Sequence, residues 1–160
     1  MTRPPPRAVF DCNIYLQAII NPTGPAGACL AAAWDGRTRL ICSDFVLLEI
    51  ADLAAKPALV ARFGITAERV QMLIDSVHRV ALFYPPPEER FVYPRDPDDA
   101  HYINLALAAE AAFVVSRDND LLALMDPADP AGRDFLQRFP TLRILTPPAF
   151  LATLDAAASR

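Results

Sequence analysis

Short apolar segments alternate with longer helical segments along this chain, and this alternation restricts the fold more than any other feature. The apolar segments predict strands at residues 8–11, 39–42, 80–83, 113–116 and 143–145. They are nearly continuously apolar, which is typical of parallel strands that helices cover on both faces. The pattern therefore predicts an α/β protein, a three-layer α/β/α sandwich with a central, mostly parallel five-stranded sheet.

Capping and helix-breaking residues mark the helices between these strands. Helices are predicted at residues 27–35, 44–55, 66–78, 98–110 and 147–157. Gly36 closes the first helix, Ser43 caps the second, and Asp96 is expected to cap the fourth, with Pro97 at its first helical position. The segment 56–78 is expected to serve as a lid or a partner surface.

Size and composition limit the architecture and the location of the protein. The 160 residues are expected to form a single domain over residues 1–160, with residues 1–7 as a flexible tail rich in proline and arginine. No apolar segment approaches the roughly 20 residues that span a membrane. The N-terminus lacks the apolar centre of a signal peptide. We therefore expect a cytoplasmic protein with no membrane contact.

The cysteines, histidines and net charge exclude several kinds of site. Cys12, Cys29 and Cys42 are odd in number and show no C-x-x-C spacing, so we expect reduced, mostly buried thiols. His78 and His101 are too far apart in sequence to form a local zinc-binding pair. The net charge of −4 argues against a basic surface that coats nucleic acid. It is compatible with a nuclease, because bound metal ions reverse the charge of an acidic pocket.

Four acidic residues lie where buried strands or an apolar helix face would otherwise carry no charge: Asp11, Glu49, Asp99 and Asp118. Asp11 and Asp118 follow the first and fourth strands, at the edge where open parallel sheets bind ligands. Glu49 is predicted to interrupt an apolar stripe between Phe45 and Leu53. Buried anions require a positive partner, so these positions predict a divalent metal site. The alternatives are that Asp11 only caps a helix and that an arginine pairs with Glu49.

Two polar segments supply further candidate residues. In residues 95–99, we assign Asp96 to the helix cap, Asp98 to solvent and Asp99 to the site, because Ile103 and Ala106 follow Asp99 on the face toward the sheet.

In residues 116–120, Asp118 and Asp120 both follow the fourth strand, and Asp120 alternatively caps the next helix. Ser116 is placed to bond a ligand carboxylate or a phosphate. One or two Mg²⁺ or Mn²⁺ ions would replace carboxylate repulsion with coordination and would activate a water that attacks a phosphodiester.

Four segments of this chain together resemble PIN-domain ribonucleases, the family that includes VapC-like toxins. The segments are VFDCNIYLQAI, SDFVLLEI, RDPDDAHYINLALAAEAAFVVSRDNDLL and ILTPPAFLA. The resemblance implies a single PIN-like domain, an α/β/α sandwich, and metal-dependent cleavage of RNA. It places the catalytic and metal-binding acids of the family on Asp11, Glu49, Asp99 and Asp118, and supporting polar residues on Asn13, Asp96, Ser116 and Asp120.

Arg117 departs from this resemblance, because similar proteins commonly have glycine before the fourth acid. Its side chain has three possible roles: an ion pair with Asp118 that weakens metal binding, contact with an RNA phosphate, or exposure to solvent.

The acidic residues and the resemblance together predict a Mg²⁺- or Mn²⁺-dependent endoribonuclease, and the resemblance implies that it is the toxin of a type II toxin–antitoxin pair. Its expected partners are RNA, a small antitoxin protein and a second copy of the chain. The alternative is a catalytically weak PIN scaffold that binds protein or RNA. Phosphatases with an acidic crevice fit less well, since position 13 holds asparagine where they need a second aspartate, and Lys56 lies too early for their lysine.

Overall fold

Parallel strands form the centre of the computed structural model, which describes residues 3–160. Within these residues the strands are β1 (Arg7–Phe10), β2 (Arg39–Cys42), β3 (Leu82–Phe83), β4 (Phe113–Val115) and β5 (Arg143–Leu145). They form a sheet in the order β3-β2-β1-β4-β5, and every pairing is parallel. In this register Val9 of β1 lies between Ile41 and Val114. The predicted sandwich with a five-stranded sheet is confirmed, and the sheet is parallel throughout.

Helices cover both faces of the sheet. They are α1 (Cys12–Ile20), α2 (Pro25–Trp34), α3 (Asp44–Ala54), α4 (Pro57–Phe63), α5 (Ala67–Val80), α6 (Ala100–Ala108), α7 (Asn119–Ala123), α8 (Pro130–Arg138) and α9 (Pro147–Ala158). Phe150 of α9 packs edge-on against Phe10 and Phe113, with ring centroids 5.8 and 5.5 Å apart. Ile103 and Ala106 of α6 are fully buried, as their predicted position required.

Several elements begin or end at other residues than predicted, and helix capping explains part of the difference. β1 ends at Phe10 because Asp11 caps α1 and accepts a hydrogen bond from the Ile14 N–H at 3.1 Å. Similarly, α5 continues through Val80, which leaves only Leu82–Phe83 for β3. The helix predicted at residues 98–110 consists of a 3-10 helix, Pro97–Asp99, followed by α6.

The helix α8 was not predicted, although its start carries a recognisable signal. Asp129 caps it by accepting hydrogen bonds from the Ala131 and Gly132 N–H groups, and Pro130 is its first residue. Phe135 of α8 is fully buried and packs edge-on against Phe91, with ring centroids 5.3 Å apart. This single aromatic anchor, rather than a long apolar stripe, attaches the helix to the core.

The N-terminal segment joins the sheet earlier than predicted. Arg7 begins β1, and the Pro6 carbonyl accepts hydrogen bonds from the Arg39 N–H and the Thr38 hydroxyl, each at 2.8 Å. Arg7 of the predicted tail therefore belongs to the sheet and Pro6 is hydrogen-bonded to its edge, while residues 1 and 2 lie outside the described part. In the described chain, no helix has the length and apolarity needed to cross a membrane.

Candidate metal centre

Three carboxylates meet at the carboxyl edge of the sheet. Asp96, Asp99 and Asp118 each present an oxygen, and these oxygens all lie within 4.8 Å of one another. Asp96 directly precedes the short 3-10 helix, Asp99 is the last residue of that helix, and Asp118 directly precedes α7. All three side chains are half-buried. Carboxylates at this separation repel one another unless protons or a cation neutralise them.

Backbone hydrogen bonds hold Asp118 in place. Its Oδ1 accepts from the N–H groups of Asp120 at 2.8 Å and Leu121 at 3.1 Å, which caps α7. Its own N–H donates to the Ser116 hydroxyl at 2.9 Å. One carboxylate oxygen is thus committed to the cap, and Oδ2 lies outside it. The alternative that Asp120 caps this helix is wrong, because Asp118 already takes that role.

Asp11 lies beside the three-carboxylate cluster without being a member of it. Its side chain is almost completely buried and accepts hydrogen bonds from the Ile14 N–H and the Ser116 hydroxyl. Burial raises the pKa of Asp11 to about 6, the hydrogen bonds from Ser116 and Ile14 act in the opposite direction, and the Asp118 charge raises it slightly. Ser116 therefore links Asp11 to Asp118, since its hydroxyl contacts both residues.

Burial and the neighbouring carboxylates both disfavour the ionised form of Asp99. Burial raises its pKa to about 7, and the neighbouring carboxylates of Asp96, Asp118 and Asp11 act in the same direction. Without a cation, Asp99 is therefore protonated at a higher pH than an ordinary aspartate. The clustered ligands are all carboxylate oxygens, which suit hard cations such as Mg²⁺, Mn²⁺ or Ca²⁺. The residues present thus fit a divalent metal ion.

Glu49 is held by residues of α6 rather than by an arginine. Its Oε1 accepts a hydrogen bond from the Tyr102 hydroxyl at 3.0 Å and lies 2.7 Å from Nε2 of His101. This close contact does not have hydrogen-bond geometry, so Nε2 of His101 is a buried polar atom with no hydrogen-bond partner among residues 3–160. The Tyr102 hydroxyl also accepts from the Cys12 N–H at 3.0 Å, which ties Glu49 to the residue after Asp11.

The predicted apolar stripe around Glu49 is partly wrong. Phe45 is 56% exposed and packs edge-on against His101, with ring centroids 4.6 Å apart. The buried face of α3 consists instead of Val46, Leu47, Ile50 and Ala54. Glu49 lies at the margin of that face, which explains how it can be half-buried and still reach the carboxyl edge of the sheet.

The polar residues that were predicted to support the site do not all lie in it. Asp96 does not cap a helix with its side chain, since the Asp99 N–H bonds the Asp96 backbone carbonyl at 3.2 Å. Its carboxylate instead joins the cluster. Asn13 is exposed in the first turn of α1, and Asp98 is exposed as predicted. The Asp120 N–H bonds Asp118, while the Asp120 carbonyl accepts from the Tyr93 hydroxyl at 2.7 Å.

Sequence reasoning missed His101 and Tyr102. Both lie in the first turn of α6, two and three residues after Asp99, and both side chains contact Glu49. The only available signal was this position just after a candidate site acid. Nothing in the sequence indicated that α3 and α6 would bring Glu49 to them.

A parallel α/β/α sandwich with polar side chains gathered at the carboxyl edge defines a class of α/β proteins that bind ligands at this edge. The family model described as "PIN domain" matches residues 7–120, more than half of the chain. The chain is also similar to Uncharacterized protein MJ1680 of Methanocaldococcus jannaschii, at 28% identity over 120 residues, which cover 75% of this chain and 76% of that protein. The chain belongs to the PIN-domain family, whose fold is of the nuclease type.

Proposed function

We propose that this protein is a metal-dependent endoribonuclease that hydrolyses phosphodiester bonds of RNA. The observation that carries the proposal is the three-carboxylate cluster of Asp96, Asp99 and Asp118 in a PIN-domain chain. Mg²⁺ or Mn²⁺, as one or two ions, is the proposed cofactor. Asp99 and Asp118 are proposed as ligands from the predicted quartet, with Asp96 as a third, while Asp11 and Glu49 complete the acidic pocket beside them.

The surrounding residues have defined tasks in this proposal. A bound divalent ion would stabilise charge on the phosphodiester and lower the pKa of an attacking water. Asp99 would release its proton when the cation binds, since its pKa of about 7 reflects burial and unneutralised neighbours. The cap of α7 orients Asp118, and Ser116 orients Asp11. Tyr102 holds Glu49 in a fixed direction.

The first test is cleavage of RNA with and without divalent metal. We expect the protein to cut single-stranded RNA with Mg²⁺ or Mn²⁺, to lose this activity in excess chelator, and to regain it when metal is restored. Calorimetric titration with Mn²⁺ in two buffers of different ionisation enthalpy should show proton release below pH 7, because Asp99 must give up its proton. Cleavage that persists in chelator would reject the proposal. The absence of both cleavage and a tight Mn²⁺ site would instead favour the alternative of a catalytically weak PIN scaffold that binds protein or RNA.

The resemblance to VapC-like toxins extends the proposal to a cytoplasmic toxin with a small antitoxin partner. A homodimer is also proposed, in which the acidic grooves of two copies would lie together. One surface supports a protein partner. Helices α1, α2 and α5 line a cavity of about 270 Å³, at which Trp34 is 48% exposed and Met72 is 62% exposed. Exposed apolar residues around a groove are typical of protein-binding surfaces.

Expression in a bacterial host tests the toxin role. We expect induction of the wild-type chain to arrest growth and translation. An equally expressed Asp118→Asn variant should leave growth unchanged, because it keeps the helix cap but lacks the charge. Normal growth with abundant, active wild-type protein would contradict a toxin role and leave the ribonuclease proposal standing.

A further inference from the structure

A second cavity lies beside the metal centre, at the end of α1 and the start of α2. It has a volume of about 180 Å³, and its polar lining comes from Gln17, Asn21 and Arg117. Among the residues that the structure describes, no carboxylate lines this cavity. Since the neighbouring centre consists of carboxylates, the two regions have opposite chemistry: one is suited to a cation and the other to an anion.

Arg117 supplies an uncompensated positive charge to this cavity. Its side chain is exposed, and within residues 3–160 it forms no ion pair, so it does not neutralise Asp118. Burial raises the pKa of Cys29 in α2 to about 12, and only the Arg117 charge acts in the opposite direction. Arg117 lines the cavity together with Pro25 and Ala26 of α2, which places its side chain beside that helix. The ion-pair role considered for Arg117 is therefore not the one it has in this structure.

The backbone around Arg117 is fixed relative to the metal centre. The Ser116 N–H donates to the Leu145 carbonyl at 3.0 Å, and the Asp118 N–H donates to the Ser116 hydroxyl at 2.9 Å. Consecutive Cα atoms are about 3.8 Å apart, so Arg117 begins one residue from the cluster. A group bound by Arg117 therefore lies within one arginine side-chain length of the backbone next to Asp118.

Asn21 adds a directed donor to the same cavity. Its Oδ1 accepts a hydrogen bond from the Thr23 hydroxyl at 3.1 Å, which leaves the amide N–H₂ as the free end. A Cβ atom at position 24 would lie only 2.7 Å from Nδ2 of Asn21, so Gly24 leaves room for that amide. A guanidinium and an amide N–H₂ around one cavity are the donors that bind phosphate oxygens.

We propose that this cavity is a subsite for a phosphate of the RNA strand next to the bond that is cut, with Arg117 as its principal contact. The inference rests on the proposed ribonuclease function. A protein with a net charge of −4 repels RNA at long range, so a local cation beside the acidic centre is needed to hold the strand. Arg117 thereby sets which linkage of the bound strand reaches the metal centre.

Binding of a short single-stranded RNA tests the subsite without relying on turnover. In an Asp118→Asn background, Arg117→Ala should raise the Kd about tenfold, the usual effect of removing a charge-assisted hydrogen bond. The slope of log Kd against log salt should become shallower by about 0.7, because one phosphate is no longer neutralised by the protein. Arg62→Ala removes an equally exposed arginine from α4 and should change the Kd less than about twofold. The melting temperature should be unchanged in both variants.

Neutral methylphosphonate linkages identify the phosphate concerned. Placed one at a time along the RNA, one linkage should weaken binding about tenfold when Arg117 is present and have no further effect in Arg117→Ala. Equal effects at all linkages in both proteins would overturn the subsite, and so would Arg117→Ala binding as tightly as Arg62→Ala. If the wild-type protein cleaves RNA but these results fail, only the subsite is rejected. If they hold without any metal-dependent cleavage, the nuclease proposal is rejected instead.

Discussion

Asp118→Asn is expected to lower the rate of metal-dependent RNA cleavage about a thousandfold while leaving the fold intact. Asparagine keeps an oxygen at Oδ1, so it can still accept the hydrogen bonds from Asp120 and Leu121 that cap α7. It removes the negative charge that the proposed metal requires. The loss should therefore appear in kcat and in Mn²⁺ affinity, while the metal-free protein should be no less stable than the wild type, because one of three mutually repelling carboxylates is removed.

Asp98→Asn is the matched control for this experiment. Asp98 lies one residue before Asp99, but its side chain is exposed and is not part of the three-carboxylate cluster. Removing its charge should change cleavage less than about threefold, since exposed charges near a site act only weakly through solvent. Asp96→Asn, in contrast, should impair Mn²⁺ binding because the structure places that carboxylate in the cluster. Equal losses in Asp98→Asn and Asp118→Asn would show that general charge, and not coordination, controls activity.

The fold and part of the centre followed from the sequence because they depend on local patterns. Continuously apolar segments predicted a parallel sheet, and an acid directly after a strand must lie at its carboxyl edge. Asp11 and Asp118 satisfy that rule, and both reach the expected edge. Both residues also cap a helix. This role was predicted as an alternative for Asp11 but not for Asp118, because in the sequence Asp120 was an equally good candidate for the cap.

The remaining features depend on contacts between distant segments. Asp96 looked like an N-cap because proline follows it, yet its backbone carbonyl takes the hydrogen bond and frees the carboxylate. Glu49 needed a partner, but only the packing of α3 beside α6 shows that the partners are His101 and Tyr102. Likewise, the sequence left three roles for Arg117, and the structure removes one of them, because Arg117 forms no ion pair with Asp118 within residues 3–160.

Asp11→Asn is expected to stabilise the metal-free protein while abolishing its proposed activity. A carboxyl group whose pKa rises from 3.8 to about 6 on folding weakens the folded state by roughly 3 kcal/mol at neutral pH. Asparagine removes this cost because it is never charged. Its oxygen can still accept from the Ile14 N–H and its N–H₂ can donate to the Ser116 hydroxyl oxygen, but the buried Ser116 O–H loses its acceptor, which offsets the gain by about 1 kcal/mol. The gain should raise the melting temperature by about 5–10 °C at neutral pH.

The pH dependence of this gain identifies its cause. For wild-type Asp11, the folded pKa is raised, so its stability contribution is full below pH 3.8 and is lost as the pH rises through about 6. Urea denaturation in chelator should therefore show nearly equal stability of variant and wild type near pH 3.8, and an advantage of Asp11→Asn that grows with pH and levels off above about 6. Asp98→Asn should show no such trend. Saturating Mn²⁺ should make the wild type more stable than Asp11→Asn, because a bound cation stabilises the ionised wild-type pocket and the variant lacks that charge. An advantage that is constant across pH would assign the gain to packing, and the electrostatic account of the centre would be wrong.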